Sequence, residues 1–125
     1  MKLLLDTNFL MIPGQFRVDI YEQMRGFGKP ELYTADLVVS ELEKLAKGKG
    51  KDGANARLAL MLVKENNVKI LKSGKAGSTD EAIRRIATRE GMSICTADKR
   101  LKTELVRRNI PIISLRKKKY LVMED

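Results

Sequence analysis

The stretch Lys-Leu-Leu-Leu-Asp-Thr-Asn at residues 2–8 is a continuous apolar run that stops at an acidic residue. The run has the length of a strand and no polar face, which is typical of a strand buried on both sides in a parallel sheet. Similar apolar runs recur at residues 31–34, 68–71, 93–96 and 111–115. Segments with helical periodicity separate them, so the chain is predicted to be a doubly wound, three-layer α/β/α fold.

The predicted helices span residues 19–27, 37–46, 54–66, 78–90 and 99–108. Asp52 or Gly53 is expected to cap the third helix, and residues 120–123 to add a terminal strand. Residues 48–53 match the pattern G-x-G-x-x-G, but they follow a helix and not a strand. This context argues against a dinucleotide site and predicts a mobile basic loop instead. The whole of residues 1–125 is expected to form one domain.

The chain is strongly basic and has no histidine. Its 25 Lys and Arg residues exceed its 16 Asp and Glu residues, which gives a formal net charge of +9. Such a charge favours a polyanionic partner, either nucleic acid or an acidic membrane surface. The absence of histidine excludes mechanisms based on imidazole, including Ser-His-Asp triads and HExxH zinc sites.

The N-terminal apolar run is too short for a secretion signal, and no apolar run approaches the ~18 residues of a membrane span. The one cysteine, Cys95, cannot form an intramolecular disulfide and lies in an apolar run. A buried, structural thiol is therefore expected. These features predict a cytoplasmic protein without a membrane partner.

Acidic residues lie close to the carboxyl ends of the predicted strands. Asp6 ends the first strand, Asp98 follows the fourth, and Asp80 lies at the start of the helix after the third. In an open doubly wound sheet, ligands bind at this edge, where the strand order reverses. All three aspartates also occupy positions where helix N-caps are common, so capping is the alternative interpretation for each.

Glu41 lies within the second predicted helix, where a capping role does not explain it. Its neighbours Leu37, Val38 and Leu45 predict that it lies on the core-facing side, where an unpaired carboxylate is unfavourable. A salt bridge or a metal ion would stabilise it there, whereas Glu43 is expected to face solvent. Carboxylates without histidine suit Mg²⁺ or Mn²⁺, because hard cations prefer oxygen ligands. In a basic protein, this combination predicts metal-assisted cleavage of a phosphodiester.

Four short motifs occur in the order and structural context found in PIN-domain ribonucleases. They are Asp6-Thr7-Asn8 after a strand, Val39-Ser40-Glu41-Leu42 on a helix, Thr79-Asp80 opening a helix, and Thr96-Ala97-Asp98 after a strand. Together they resemble this family over essentially the whole chain. The resemblance implies a central five-stranded parallel sheet and divalent-metal-dependent endonuclease activity on single-stranded RNA.

The resemblance also implies roles for individual residues. The catalytic and metal-binding acids would be Asp6, Glu41, Asp80 and Asp98, and the polar partners around them would be Thr7, Asn8 and Thr96. Residues 39–47 are more similar to stand-alone PIN proteins related to ribosomal-RNA processing nucleases than to typical VapC-type toxins. A homodimer, and either an antitoxin or a ribosome-assembly partner, are expected only from the resemblance.

Positive charge is concentrated near the C-terminus, where residues 99–125 carry +6 of the net +9. The predicted RNA-binding residues are Lys47, Lys49 and Lys51 in the basic loop, Lys99 and Arg100 beside Asp98, and Arg116, Lys117, Lys118 and Lys119. The last four are adjacent like charges, which repel one another unless an anion is bound. A solvated helix face is the alternative interpretation for Lys102, Arg107 and Arg108.

The leading hypothesis is an endoribonuclease that cleaves single-stranded RNA by metal-activated water, with single-stranded or structured RNA as its partner. Ribosomal-RNA processing is one of two biological roles that the sequence leaves open. Two alternatives stay open. One is a VapC-type toxin ribonuclease of a toxin–antitoxin pair. The other is a non-catalytic RNA-binding module of the same fold, whose acids serve as helix caps and ion pairs. A nucleotide-binding or phosphoacceptor domain would leave the charge of +9 unexplained.

Overall fold

The computed structural model describes residues 1–124, which form six strands and seven helices. The strands are β1 (Lys2–Leu5), β2 (Glu31–Ala35), β3 (Lys69–Leu71), β4 (Ser93–Cys95), β5 (Ile112–Arg116) and β6 (Tyr120–Glu124). The helices are α1 (Thr7–Leu10), α2 (Ile12–Phe16), α3 (Ile20–Arg25), α4 (Asp36–Ala46), α5 (Gly50–Glu65), α6 (Thr79–Glu90) and α7 (Lys99–Arg107).

The strands form one sheet in the order β3-β2-β1-β4-β5-β6. β1 lies inside the sheet, and Leu3, Leu4 and Leu5 are each 0% exposed, as expected for a strand covered on both faces. The chain builds the sheet outward from β1 through β2 to β3, and then returns to the other side of β1 with β4. The strand order therefore reverses between β1 and β4, and right-handed connections place α1–α5 on one face and α6 and α7 on the other.

The predicted three-layer α/β/α fold is confirmed, with one correction to the sheet. The sheet has six strands and not five, because β6 pairs with β5 in antiparallel orientation. The five strands β1–β5 are parallel to their neighbours, as predicted. Lys117 and Lys118 both have φ 55° in the hairpin between β5 and β6, a left-handed conformation that suits a tight antiparallel turn.

Two short helices, α1 and α2, are absent from the sequence prediction. They have four and five residues, and α2 contains Pro13 and Gly14. Segments this short do not show a helical period, and the Pro-Gly pair reads as a turn. Gly14 lies against α5, since a Cβ atom at this position would come within 2.4 Å of Asn55 Oδ1.

The predicted mobile loop at residues 48–53 is wrong, because α5 already begins at Gly50. Neither Asp52 nor Gly53 caps this helix; the cap position is Lys49, which has no side-chain hydrogen bond. The glycines serve close packing instead. A Cβ atom on Gly53 would lie 2.1 Å from the carbonyl oxygen of Gly48, and Gly50 has φ +88°.

Arg57 joins the end of α4 to α5. Its guanidinium donates hydrogen bonds to the carbonyl oxygens of Ala46 at 2.8 Å and Gly48 at 3.2 Å. Carbonyl groups at the end of a helix lack partners within that helix, so this arginine satisfies groups that would otherwise need water. α4 and α5 are thereby held together at the edge of the sheet where β1 ends. Within residues 1–124, no helix has both the length and the apolar composition needed to cross a membrane.

We expect Gly53→Ala to lower the free energy of unfolding by about 2 kcal/mol, because the added methyl group overlaps the Gly48 carbonyl in a tightly packed turn. The matched control is Gly77→Ala, where the new Cβ would lie 3.4 Å from the flexible end of the Glu81 side chain. Urea unfolding followed by circular dichroism measures both. Equal stability of the two variants would contradict the role assigned to Gly53.

Candidate active site

The ends of β1 and β4, together with the first turns of several helices, enclose a cavity of about 310 Å³. We call it the acidic pocket. It is lined by Asp6, Thr7, Asn8, Met11, Gln15, Glu41, Leu45, Asp52, Thr79, Asp80 and Asp98. The four carboxylates implied by the family resemblance are thus brought to one cavity. The cavity lies at the carboxyl edge of the sheet, where the strand order reverses and where doubly wound folds bind their ligands.

Asp6 is the buried carboxylate of the acidic pocket, with 3% of its surface exposed. It accepts hydrogen bonds from the Thr7 amide at 2.8 Å and from the Thr96 hydroxyl at 3.0 Å. Burial, together with the nearby charges of Asp80 and Glu41, raises the pKa of Asp6 to about 6, against the opposing effect of the two hydrogen bonds. The pocket therefore holds a carboxylate whose negative charge is incompletely compensated.

Thr96 connects the two strands at the point where the strand order reverses. Its hydroxyl donates to Asp6, lies 3.3 Å from Asn8 Oδ1, and accepts the Asp98 amide at 3.1 Å. Asn8 Oδ1 also accepts the Ala97 amide at 2.9 Å. Thr96 is 0% exposed, so its bond to Asp6 is shielded from water. The network holds the segment that carries Asp98 against the end of β1.

Two further carboxylates of the predicted quartet, Asp80 and Asp98, are positioned by helix starts. Asp98 caps α7, accepting the amides of Arg100 and Leu101 through Oδ1 at 2.9 and 3.3 Å. Asp80 lies in the first turn of α6, at a helix start as predicted, and the cap of this helix is Ser78. Asp98 is a helix cap, as the alternative interpretation held, and it also lines the acidic pocket.

Glu41 is exposed, so the prediction that it lies on the core-facing side of α4 is wrong. Val38 and Leu42 face the core, and both are 0% exposed, whereas Glu41 is exposed. The rotation of about 100° per residue along a helix carries Glu41 away from the buried face. It reaches the acidic pocket from the rim, where its carboxylate accepts the Thr79 hydroxyl at 3.1 Å. Glu43 is exposed, as predicted.

Two further acids, Asp52 and Asp36, lie near the carboxyl edge of the sheet, and one of them lines the acidic pocket. Asp52, which was predicted only as a helix cap, is the fifth carboxylate of this pocket. Asp36, which follows β2, does not line it. It accepts hydrogen bonds from the amide and hydroxyl of Ser73, and these lower the pKa of its carboxyl group. Asp36 therefore fastens the segment after β3 to the start of α4.

The oxygen-bearing side chains that line the acidic pocket are of the chemical type that binds a hard divalent cation. Every charged group is a carboxylate, and the buried Thr7 hydroxyl has no hydrogen-bond partner among residues 1–124. Over the same residues, however, no group of three or more acidic or thiol side chains is close enough to hold an ion. Glu41 and Asp80 are exposed and line the acidic pocket from its rim. The thiol of Cys95 is fully buried, and burial raises its pKa, so it contributes no reactive group.

The predicted RNA-binding residues have different surroundings. Lys99 and Arg100 line a cavity that shares Asp80 and Asp98 with the acidic pocket. Lys47, Lys49 and Lys51 are exposed at the junction of α4 and α5 and do not line the acidic pocket.

The positive charge of the hairpin at residues 116–119, between β5 and β6, is partly compensated by other residues of the chain. The sequence had predicted that a bound anion would be needed to offset the repulsion between these cations. Arg116 pairs with Glu124 at 3.1 Å, and the Lys118 amine lies 5.5 Å from the ring centre of Phe16. Both contacts reduce the repulsion between neighbouring cations.

The family model described as a PIN like domain matches residues 3–118. The chain belongs to this family. Ribonuclease VapC4 of Methanocaldococcus jannaschii is 36% identical over 125 residues, which cover 95% of this chain and 93% of that protein. Ribonuclease VapC9 of Archaeoglobus fulgidus is 34% identical over 120 residues, covering 95% of this chain and 86% of that protein. The predicted resemblance to PIN-domain ribonucleases is confirmed.

Solved structures agree with this assignment. The PIN domain endonuclease Utp24 superposes with a TM-score of 0.79 and 28% identity, covering 98% of this chain and 90% of that one. VapBC2 of Rickettsia felis, solved with a DNA fragment from its promoter, gives a TM-score of 0.68 at 14% identity, covering 93% of this chain and all of that one. At this low identity, the second likeness shows the shared fold alone.

Asp6→Asn is expected to stabilise the PIN fold at neutral pH. The folded state raises the pKa of Asp6 from 3.8 to about 6. Ionisation therefore opposes folding, and the native protein loses stability as the pH rises from about 4 to about 6. The difference in the pKa of Asp6 between the folded and unfolded states corresponds to a loss of about 3 kcal/mol in the free energy of unfolding. The amide keeps an oxygen for the Thr7 amide and has no charge to ionise. The gain should appear above pH 6 and vanish below pH 4.

Thermal unfolding in EDTA across pH 3.5–8 measures this effect, with Glu43→Gln as the exposed control that shows no such dependence. A gain that is the same at pH 4 and pH 7 would contradict the assignment.

Thr96→Val should destabilise the fold by about 2 kcal/mol, because it keeps the shape of the side chain and removes the hydroxyl that joins Asp6, Asn8 and the Asp98 amide. The control is Thr103→Val on α7, whose exposed hydroxyl donates to the Lys99 carbonyl and can be replaced by water. Urea unfolding compares the two variants. A loss at Thr103 as large as that at Thr96 would show that the network at the strand ends has no special role.

Proposed function

We propose that this PIN-domain protein is a divalent-metal-dependent endoribonuclease that cleaves single-stranded RNA. The observation that supports this most is the acidic pocket itself. Five carboxylates from five separate segments of the chain line one cavity in a protein with a net charge of +9. Grouping like charges is unfavourable for folding, so a positively charged ligand accounts for an arrangement that helix capping alone does not.

Asp6, Glu41, Asp80 and Asp98 are proposed to hold Mg²⁺ or Mn²⁺, with Asp52 at the rim. The ion would supply the positive charge that lowers the pKa of a water molecule and neutralises the cleaved phosphate. The protein's own part is to fix the donors. The Thr96 hydroxyl orients the carboxylate of Asp6, and the amides at the start of α7 orient that of Asp98. Lys99 and Arg100, next to Asp98, are placed to bind phosphates beside the cleaved one.

The proposal predicts that Asp98→Asn lowers RNA cleavage by about 100-fold or more, since loss of a direct metal ligand should cost at least as much as loss of an outer partner. The fold should keep its stability, because asparagine and aspartate are similar helix caps. Asp19→Asn is the matched control, because Asp19 caps α3 in the same way and does not line the acidic pocket. Cleavage of a fluorophore-labelled single-stranded RNA in Mn²⁺ measures both variants.

The non-catalytic alternative gives a different result in the same experiment. An RNA-binding module would not cleave the labelled RNA, and its melting temperature would not depend on Mn²⁺ or EDTA. The enzyme should lose cleavage in EDTA and gain melting temperature in millimolar Mn²⁺, because a ligand that binds only the folded state stabilises it. That gain should be smaller for Asp6→Asn. Unchanged cleavage by Asp98→Asn would overturn the proposal.

For the biological role, the similarity to the ribonucleases VapC4 and VapC9 favours a VapC-type ribonuclease with an antitoxin partner. Ribosomal-RNA processing, a homodimer and a cytoplasmic location stay predictions. A small gene encoded beside this one, whose product abolishes cleavage when the two are expressed together, would support the toxin role. Cleavage of ribosomal-RNA precursors without such a neighbour would support processing.

A further inference from the structure

A cavity of about 620 Å³ adjoins the acidic pocket between α6 and α7. We call it the first basic cavity. It shares Asp80 and Asp98 with the acidic pocket, and its other charged lining residues are Arg84, Lys99, Arg100, Glu104 and Arg107. Asp80 and Asp98, two of the proposed metal-binding residues, therefore lie at the boundary between an acidic and a mainly basic part of the surface. Lys99 and Arg100 were predicted to bind RNA beside Asp98. Arg84 was not predicted as a binding residue, and Arg107 had two interpretations, a phosphate contact or a solvated helix face.

A second basic cavity, of about 520 Å³, shares Arg84 with the first. It extends over the outer side of α6 to the segment after β3. Its charged lining residues are Lys75, Glu81, Arg84, Arg85, Arg89 and Arg108, so five cations are opposed by one acid. Each basic cavity has a volume in the range that holds a drug-sized ligand, and a nucleotide is of that size. The acidic pocket and the two basic cavities are therefore successive neighbours on one surface.

Arg84 lies at the junction of the two basic cavities and is fixed in place. Its guanidinium pairs with Glu104 at 3.2 Å, and only 26% of its side chain is exposed. The other oxygen of Glu104 pairs with Arg108 at 3.3 Å, so one carboxylate on α7 holds two arginines. An arginine that is already ordered loses less conformational entropy when it binds a phosphate than a free surface lysine does.

We propose that the RNA strand leaves the acidic pocket between α6 and α7 and continues over α6, with its phosphates bound by Arg84 and then by Arg89 and its neighbours. This inference rests on the proposed function and adds the path of the substrate on one side of the cleaved bond. It also selects among the basic segments of the chain. The hairpin at residues 116–119 lines neither basic cavity, and the same is true of Lys47, Lys49 and Lys51.

The test measures RNA binding separately from cleavage. Fluorescence anisotropy of a labelled 12-nucleotide single-stranded RNA is followed in EDTA, at several salt concentrations, with the full chain carrying Arg84→Gln and Arg89→Gln. We expect the Kd to rise by about tenfold or more. The slope of log K against log salt should fall by about 1.4, because each lost phosphate contact on a single strand accounts for about 0.7. A variant with Lys2→Gln and Lys64→Gln removes the same charge at the opposite edge of the sheet, and its Kd should stay within about twofold.

Two further variants make the outcome decisive. Arg89 is exposed, so Arg89→Gln alone should weaken binding without affecting the fold, even if Arg84→Gln is destabilising. A variant with Lys117→Gln and Lys118→Gln tests the hairpin as the rival path. If the hairpin variant loses affinity and the α6 variants do not, the inference is overturned. That result would leave cleavage by the native protein intact, whereas failure of the proposed function would appear as the absence of metal-dependent cleavage, whatever the binding data show.

Discussion

The hydrogen bond from the Thr96 hydroxyl to the Asp6 carboxylate is the contact on which the acidic pocket depends. It joins the ends of β1 and β4, which lie side by side only because the strand order reverses between them. The same hydroxyl accepts the Asp98 amide, so the two aspartates are positioned by one buried group. The bond offsets part of the cost of burying Asp6, and the raised pKa of this carboxylate shows that the compensation is incomplete. A group kept at a cost to stability is typical of a functional site.

The distribution of charge follows from the same geometry. Carboxylates at the strand ends and helix starts form the floor, and arginines and lysines on α6 and α7 flank it. A protein with a net charge of +9 attracts a polyanion at long range, even though the site where it would react is acidic. The acidic floor would repel the same polyanion at short range unless a cation neutralises it. Attraction at a distance therefore follows from the net charge, whereas approach to the floor requires the bound cation of the proposed function.

The parts of this arrangement that depend on short sequence patterns could be predicted, and those that depend on helix rotation or tertiary packing could not. The apolar run at β1 and the capping pattern at Ser78 specify their elements locally. Glu41 was placed on the wrong face because an error of one residue in the phase of α4 turns a side chain by about 100°. Arg84 was missed because nothing in its neighbourhood of the sequence shows that Glu104, twenty residues further on, holds it.

Residues 48–53 show how scaffold and site are connected. Glycines usually mark a loop, yet Gly53 lets α5 approach the Gly48 carbonyl more closely than a side chain would permit. Arg57 strengthens this junction by binding the carbonyl oxygens of Ala46, at the end of α4, and of Gly48. The tight junction lets α5 begin at Gly50, and its first turn then brings Asp52 to the acidic pocket, on the same side as Glu41 and Leu45 from α4. A longer or looser connection would move both the fifth carboxylate and the rim that Glu41 occupies. The G-x-G-x-x-G pattern at residues 48–53 resembles a phosphate-binding motif. Its effect on the acidic pocket comes instead from the close packing of α4 and α5.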